Sequence, residues 1–138
     1  MTKTVLITGA AHRIGRAVAL GLAEDSWKVI IHYSNSGQAA NELAQNINEK
    51  DGNAETLQAN LADALETASL ISRTVEIAGP LSALINNASV FERDDVTTLS
   101  DDSWDMHLNV NLKAPAILMR DFAKQAQAGS NIINIIDQ

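Results

Sequence analysis

The chain has 138 residues, of which 46% are hydrophobic and only 4% aromatic, and its formal net charge is −7. This composition predicts one globular domain and excludes a disordered chain, while the negative charge argues against binding to nucleic acid or to an anionic membrane surface. The sequence also contains no cysteine and no apolar run of about 20 residues, which predicts neither disulfides nor a transmembrane helix and is compatible with the cytosol. We expect a cytoplasmic protein whose partner is a small molecule.

Short β-branched runs alternate with helical patterns along the chain. Strands are predicted over residues 4–8, 27–32, 54–58, 81–85 and 131–136, and helices over residues 14–22, 37–50, 63–78 and 100–128. This alternation favours right-handed βαβ units and parallel strands. The sequence therefore predicts an α/β fold, a doubly wound Rossmann-type parallel sheet with helices on both faces.

The turn after the first predicted strand is the most informative segment of the chain. Gly9 follows the apolar strand, and the helical pattern begins at Ile14 and Gly15. A helix N-terminus offers free N–H groups to an anion, and glycine lets the backbone approach it closely. We therefore expect Gly9, Arg13, Ile14 and Gly15 to bind a phosphate group of a dinucleotide. The alternative is an ordinary connection between a strand and a helix.

The end of the second predicted strand indicates which dinucleotide would bind. An acidic residue here usually binds the ribose 2′-hydroxyl of the cofactor, but residues 32–36 contain no Asp or Glu. His32 can gain charge, Tyr33 and Ser34 follow it, and the guanidinium of Arg13 is a natural partner for a phosphate. The sequence therefore predicts NADP(H) rather than NAD(H). The alternative is a polar surface loop with a solvated Arg13.

These segments resemble the short-chain dehydrogenase/reductase family, and the resemblance covers the whole chain. Residues 8–15 are similar to the family's Thr-Gly-x-x-x-Gly-x-Gly turn, with Arg13 at the middle glycine, as in pteridine reductases. Residues 60–63 are similar to the Asp-Leu/Val pair that holds the adenine, with Asn60 in place of Asp. The resemblance therefore implies that Asn60 and Leu61 contact the cofactor.

Two later motifs are also similar to the family's pattern. Residues 86–89 resemble its Asn-Asn-Ala-Gly motif, which implies that Asn87, Ala88 and Ser89 lie at the cofactor. Asn111 matches the asparagine of the family's catalytic tetrad. Without the resemblance, the first motif could be a plain turn and Asn111 a residue on a helix surface.

The last residues resemble only the beginning of the family's catalytic machinery. Asp137 stands where the family usually has a catalytic serine, and pteridine reductases are similar in carrying Asp there. The family's proton donor is a tyrosine four residues before a lysine, whereas Tyr33 is followed at that spacing by Gly37. We therefore expect one dinucleotide-binding domain over residues 1–138 that is incomplete at the C-terminus. A non-catalytic remnant is the alternative.

Pro115 lies four residues after Asn111 in a predicted helix. Proline has no N–H, so the Asn111 carbonyl loses its usual partner and the helix should be irregular here. The resemblance implies that this carbonyl holds a water of a proton relay. We predict that Pro115 helps to present the carbonyl.

The leading interpretation is an NADPH-dependent reductase that acts on a carbonyl or a pterin-like C=N bond. The cofactor would supply hydride, and Asn111 and Asp137 would serve proton delivery. The resemblance also implies a homo-oligomer, a dimer or tetramer, that pairs through the helix at 100–128.

Other functional classes explain fewer features of the sequence. A dinucleotide-binding sensor or scaffold without turnover is the main alternative, and a flavodoxin-like module leaves the later asparagine motifs unexplained. The turn lacks the Gly-Lys-Ser/Thr of a P-loop, and the three histidines lack the spacing of metal ligands. We therefore expect no metal site.

Overall fold

A computed structural model describes residues 2–136 of the chain, which contain five strands and five α-helices. The strands are β1 (Thr4–Ile7), β2 (Lys28–Tyr33), β3 (Asn53–Gln58), β4 (Ala83–Asn86) and β5 (Asn131–Asn134). The helices are α1 (Arg13–Glu24), α2 (Gly37–Glu49), α3 (Ala64–Ala78), α4 (Asp101–Leu108) and α5 (Ala114–Gln125), with a π-helical turn at Asn109–Lys113 between the last two. Within residues 2–136, no helix combines the length and apolar character needed to cross a membrane.

All strands pair in parallel, in the order β3-β2-β1-β4-β5, so the predicted doubly wound sheet is confirmed. The order reverses at β1, because the chain continues from β1 to β2 on one side and later returns to β4 on the other. In open parallel sheets, such a reversal leaves a crevice at the carboxyl ends of the two central strands. The segments that follow β1 and β4 therefore meet at one place.

The central strand divides the core into two layers. Val5 and Ile7 face one side of the sheet, where they pack with residues of α1 and α2 such as Leu43. Leu6 faces the other side, where it packs with residues of α3 and α5 such as Phe122. Because helices cover both faces, β1 is fully buried, which explains its continuous apolar sequence.

The helix predicted over residues 100–128 is shorter than expected and interrupted. The α-helical hydrogen bonding changes at Asn109, where the Ala114 N–H donates to the Asn109 carbonyl five residues earlier. Pro115 lies in the first turn of α5, where a missing N–H is tolerated. The irregularity expected near Pro115 is therefore present as a π-helical turn, and α5 ends at Gln125.

Candidate functional site

An open cleft of about 790 Å³ lies at the carboxyl ends of the strands. It is lined by every predicted cofactor residue except Gly15, namely Gly9, Arg13, Ile14, His32, Tyr33, Ser34, Asn60, Leu61, Asn87, Ala88 and Ser89. The sheet brings these residues together from the ends of four strands. The spacing of the motifs in the sequence could not show by itself that these residues line one cleft.

Hydrogen bonds between Thr8 and Asn87 join the ends of β1 and β4 below the cleft. The buried Thr8 hydroxyl oxygen accepts from the Asn87 N–H at 3.0 Å and from the Ala88 N–H at 2.9 Å. The Asn87 side-chain amide donates to the carbonyls of Thr8 and Gly9 at 3.0 and 3.1 Å. Asn87 is therefore more than a plain turn residue, since its side chain holds the glycine turn.

The two glycines of the turn allow α1 to lie close to this hydrogen-bonded group. A Cβ atom on Gly15 would lie 2.5 Å from Asn87 Nδ2 and 2.6 Å from the Gly9 carbonyl oxygen. Gly9 has φ +61°, and a Cβ there would lie 2.9 Å from Ala88 Cα. Gly15 thus supports the cleft from below and does not line it.

The start of α1 is open to an anion. Its N-cap is His12, and no described side chain caps the helix, whereas the Asp63 carboxylate caps α3 by accepting from the Leu65 and Glu66 N–H groups. The first N–H groups of α1 therefore keep their hydrogen-bonding capacity beside the cleft. Arg13, the first residue of α1, is exposed here and has φ +52°.

The His32 ring is buried and hydrogen-bonded at both nitrogens, and the residue is only 2% exposed. Nδ1 accepts from the Gly9 N–H at 3.0 Å, so Nε2 must carry the proton that it donates to the Ala59 carbonyl at 2.9 Å. Burial lowers the pKa of His32; the bond to Ala59 opposes this shift, and the charge of Arg73 adds to it. The expectation that His32 gains charge beside a phosphate was therefore wrong, because a buried ring that must accept a hydrogen bond stays neutral.

The protein should lose stability in mild acid because of His32. Its pKa is lowered on folding from 6.5, so below about pH 6.5 the unfolded chain binds a proton that the folded chain does not. The free energy of unfolding should therefore fall as the pH drops through this value, and less steeply in His32→Asn than in the wild type. Urea unfolding at several pH values measures both slopes. The exposed His12→Asn is the control, and equal slopes for wild type and His32→Asn would contradict the prediction.

The Asn111 side chain holds the segment after β4 and does not line the cleft. Its Oδ1 accepts from the Val90 N–H and its Nδ2 donates to the Val90 carbonyl, each at 2.8 Å. The catalytic asparagine predicted from the sequence therefore lies next to the cleft wall and fixes its backbone. The pairing joins residues 21 positions apart, which no local pattern indicates.

Two residues that the sequence did not identify also attach the segment after β4 to α4. The His107 Nε2 accepts from the Glu92 N–H at 2.9 Å, and the Ser103 hydroxyl donates to Asp94 Oδ2 at 2.8 Å. Ser103, His107 and Asn111 follow one another at four-residue spacing along α4 and the π-helical turn, and all three bond to the segment after β4. That polar spacing was the signal that could have found them.

The cleft lining also includes Asn35, Ser36 and Val90, which the sequence placed near the cofactor or the substrate. Several other lining residues were missed, namely Ala11, His12, Ala62, Met106, Val110, Ile135 and Ile136. Most are chain neighbours of predicted residues, whereas Met106 comes from α4. Asp137 lies outside the described residues. Among residues 2–136, no group of three or more His, Cys, Asp or Glu side chains could hold a metal ion.

Residues 3–137 match the protein family described as short chain dehydrogenase. A 3-oxoacyl-(acyl-carrier-protein) reductase FabG of Staphylococcus aureus is 36% identical over 113 residues, which cover 82% of this chain and 46% of that protein. A short-chain type dehydrogenase/reductase of Picea abies is 37% identical, over 96% of this chain and 53% of that protein. The chain therefore spans about half the length of these relatives.

Solved structures show the same fold. FolM alternative dihydrofolate reductase 1 from Brucella canis, complexed with NADP, superposes with a TM-score of 0.91 and 37% identity, over 98% of this chain and 55% of that one. A short chain dehydrogenase from Burkholderia cenocepacia in complex with NADP gives a TM-score of 0.92 and 32% identity, over 96% and 54% of the two chains. The described residues thus correspond to about half of these proteins.

Proposed function

The chain belongs to the short-chain dehydrogenase family, and from this premise we propose that it is the NADP(H)-binding part of a longer oxidoreductase. The observation that carries the proposal is the cleft at the sheet's reversal point, where α1 begins without a side-chain cap beside the exposed Arg13. The cleft volume of about 790 Å³ is in the usual range for sites that bind small molecules and cofactors.

The residues present fit a dinucleotide phosphate. The N–H groups at the start of α1 would hold the pyrophosphate, since their dipoles and Gly9 favour a close anion. Asn60 and Leu61 would lie at the adenine, and Ala88 and Ser89 at the nicotinamide half. When bound, the cofactor would supply the hydride of the reaction.

The choice of NADP(H) depends on the loop after β2 and on Arg13. Ser34 lines the cleft there, and residues 32–36 offer no carboxylate that would repel a 2′-phosphate. The guanidinium of Arg13 can make charge-assisted bonds to such a phosphate. Two similar solved structures were determined with NADP, which supports the same choice here.

Arg13→Gly should weaken NADPH binding and at the same time raise the free energy of unfolding. Loss of the guanidinium should weaken NADPH binding by about tenfold and leave NADH binding unchanged. The free energy of unfolding should rise by about 0.5–1 kcal/mol, because glycine adopts the left-handed conformation of this position with less strain. Fluorescence titration with both cofactors and urea unfolding measure these effects.

Arg16→Ala is the control for Arg13→Gly, because Arg16 is exposed on the same helix and does not line the cleft. It should retain the wild-type affinity for NADPH. Equal affinities of the wild type for NADPH and NADH would contradict the proposed preference.

We further propose that the longer enzyme reduces a carbonyl or a pterin-like C=N bond. Similarity to FabG supports the first substrate class and similarity to FolM supports the second.

Asn111 and Asp137 would serve proton delivery, with Asn111 acting through its carbonyl because its side-chain amide is bonded to Val90. Pro115 withholds the N–H donor that would otherwise face this carbonyl. The loop that Asn111 holds, with Phe91 87% exposed, would form one wall of the substrate site.

An assay of the longer protein tests this activity. NADPH oxidation should occur with a dihydropteridine or with a 3-oxoacyl thioester. The second candidate function is a dinucleotide-binding sensor, which would use the same cleft to bind NADP(H) without turnover. Tight NADPH binding without oxidation with either substrate class would support the sensor and contradict the reductase.

We also propose that the protein forms a homo-oligomer through residues 100–128, the segment that contains α4, the π-helical turn and α5. Trp104, Leu108 and Leu112 follow one another at four-residue spacing and are 54%, 39% and 66% exposed, so they can form one apolar strip for a partner subunit. Sedimentation velocity over a range of concentrations should show a dimer or tetramer, and a Leu112→Glu variant should shift it toward the monomer. A wild type that stays monomeric at all concentrations would contradict this proposal.

A further inference from the structure

We propose that His32 is a positioning residue that fixes the glycine turn in the conformation that binds a dinucleotide. The inference rests on the proposed function, because it assigns a role in NADP(H) binding to a side chain that would not contact the phosphates. It replaces the expectation that this histidine is a charged phosphate ligand.

His32 binds two consecutive amides of the turn. Its ring Nδ1 accepts from the Gly9 N–H at 3.0 Å, and its main-chain carbonyl accepts from the Ala10 N–H at 3.1 Å. Both amides therefore point toward β2, and the Gly9 peptide is held at φ +61°. With these donors already satisfied, the N–H groups at the start of α1 are the ones left for an anion.

The other end of the His32 ring, Nε2, is hydrogen-bonded to the segment that follows β3. Nε2 donates to the Ala59 carbonyl at 2.9 Å, immediately before Asn60, and the Ala59 N–H donates to the Tyr33 carbonyl at 3.1 Å. One buried, rigid ring thus connects the turn proposed to hold the pyrophosphate with the segment proposed to hold the adenine. A displacement of the ring would move both.

The two bonds require a group that accepts at one end and donates at the other. Neutral imidazole with a proton on Nε2 meets this requirement, and its planar ring keeps the two ends at a fixed separation. The flexible side chains of asparagine and glutamine each reproduce one end only. The Oδ1 of asparagine lies near the position of imidazole Nδ1, and the Nε2 of glutamine lies near that of imidazole Nε2.

This difference gives a matched pair of variants for the test. His32→Asn keeps an acceptor for Gly9, whereas His32→Gln keeps a donor for Ala59. We expect His32→Gln to weaken NADPH binding at least tenfold and His32→Asn to weaken it less than threefold, even though each loses one buried bond. Fluorescence titration with NADPH gives the affinities, and urea unfolding shows the fraction of each variant that is folded.

Asn48→Ala controls for a general loss of stability. The Asn48 side chain makes two bonds to the backbone of Ala54, at 2.8 and 3.0 Å, and lies outside the cleft. This variant should be less stable than the wild type and bind NADPH equally well. Wild-type affinity in His32→Gln, or equal weakening in both His32 variants, would overturn the inference. If the wild type does not bind NADPH, the proposed function fails and the inference with it.

A measurement on the wild type keeps the inference testable if the variants do not fold. The ¹⁵N spectrum of histidine-labelled protein near neutral pH should show His32 with an unprotonated Nδ1 and a protonated Nε2, with and without saturating NADPH. A proton on Nδ1 in either state would overturn the inference, because the ring could not then accept from Gly9.

Discussion

Thr8→Val should destabilise the protein by about 2–4 kcal/mol, because it removes the acceptor of two backbone N–H groups, those of the half-buried Asn87 and Ala88. The Thr8 hydroxyl oxygen accepts from Asn87 and Ala88, and the residue is only 1% exposed. Valine has nearly the same shape, so the effect should come from the unpaired amides and not from a cavity. NADPH affinity should fall as well, since the ends of β1 and β4 form the floor of the cleft. Urea unfolding and NADPH titration measure the two effects.

Thr8→Ser is the matched control for Thr8→Val. It keeps the hydroxyl acceptor and loses one buried methyl group, so its stability should fall by only about 1 kcal/mol. Its NADPH affinity should stay near that of the wild type. Equal stabilities of the Val and Ser variants would show that the hydrogen bonds of the Thr8 hydroxyl to Asn87 and Ala88 do not stabilise the protein.

Gly15→Ala should destabilise the protein and weaken NADPH binding at least tenfold. A Cβ at this position would lie 2.5 Å from Asn87 Nδ2 and 2.6 Å from the Gly9 carbonyl oxygen, so the turn must move away from α1. Overpacking of this kind costs about 1–3 kcal/mol, which exceeds the gain of up to about 1 kcal/mol from alanine's higher helix propensity. Urea unfolding and fluorescence titration again give the two quantities.

Gly21→Ala tests the same substitution on the same helix without the contact. Apart from its chain neighbours and the backbone of its own helix, no atom would lie within 4 Å of a Cβ at Gly21, so the free energy of unfolding should rise by about 0.5–1 kcal/mol. NADPH affinity should not change. If Gly15→Ala were as stable and bound NADPH as tightly as the wild type, close packing of the turn on α1 would not be required for the site.

The fold was predictable because its local signals agree with one another. β1 is buried on both faces and therefore reads as a continuous apolar run, and Gly79 ends α3 where the sequence predicts a stop. The interruption between α4 and α5 was harder to predict. A π-helical turn adds one residue without interrupting the run of helix-forming side chains, so residues 100–128 were interpreted as one helix.

The site was predictable in composition but not in the roles of its residues. His32 looked like a potential cation because it ends a strand next to a polar loop, although Val29, Ile30 and Ile31 before it are all buried. Its bonds to Gly9 and Ala59 come from other strands, so only the assembled sheet reveals them. The same is true of Asn111, whose side chain pairs with the distant Val90.

Titration of the ¹⁵N-labelled chain with NADPH and NADH, followed at the backbone amides, tests the proposed cofactor site most directly. If the start of α1 holds the pyrophosphate, the amides of residues 11–15 should shift saturably with NADPH, and NADH should require a higher concentration. Unchanged amides at residues 11–15 with saturating NADPH would contradict the proposed site.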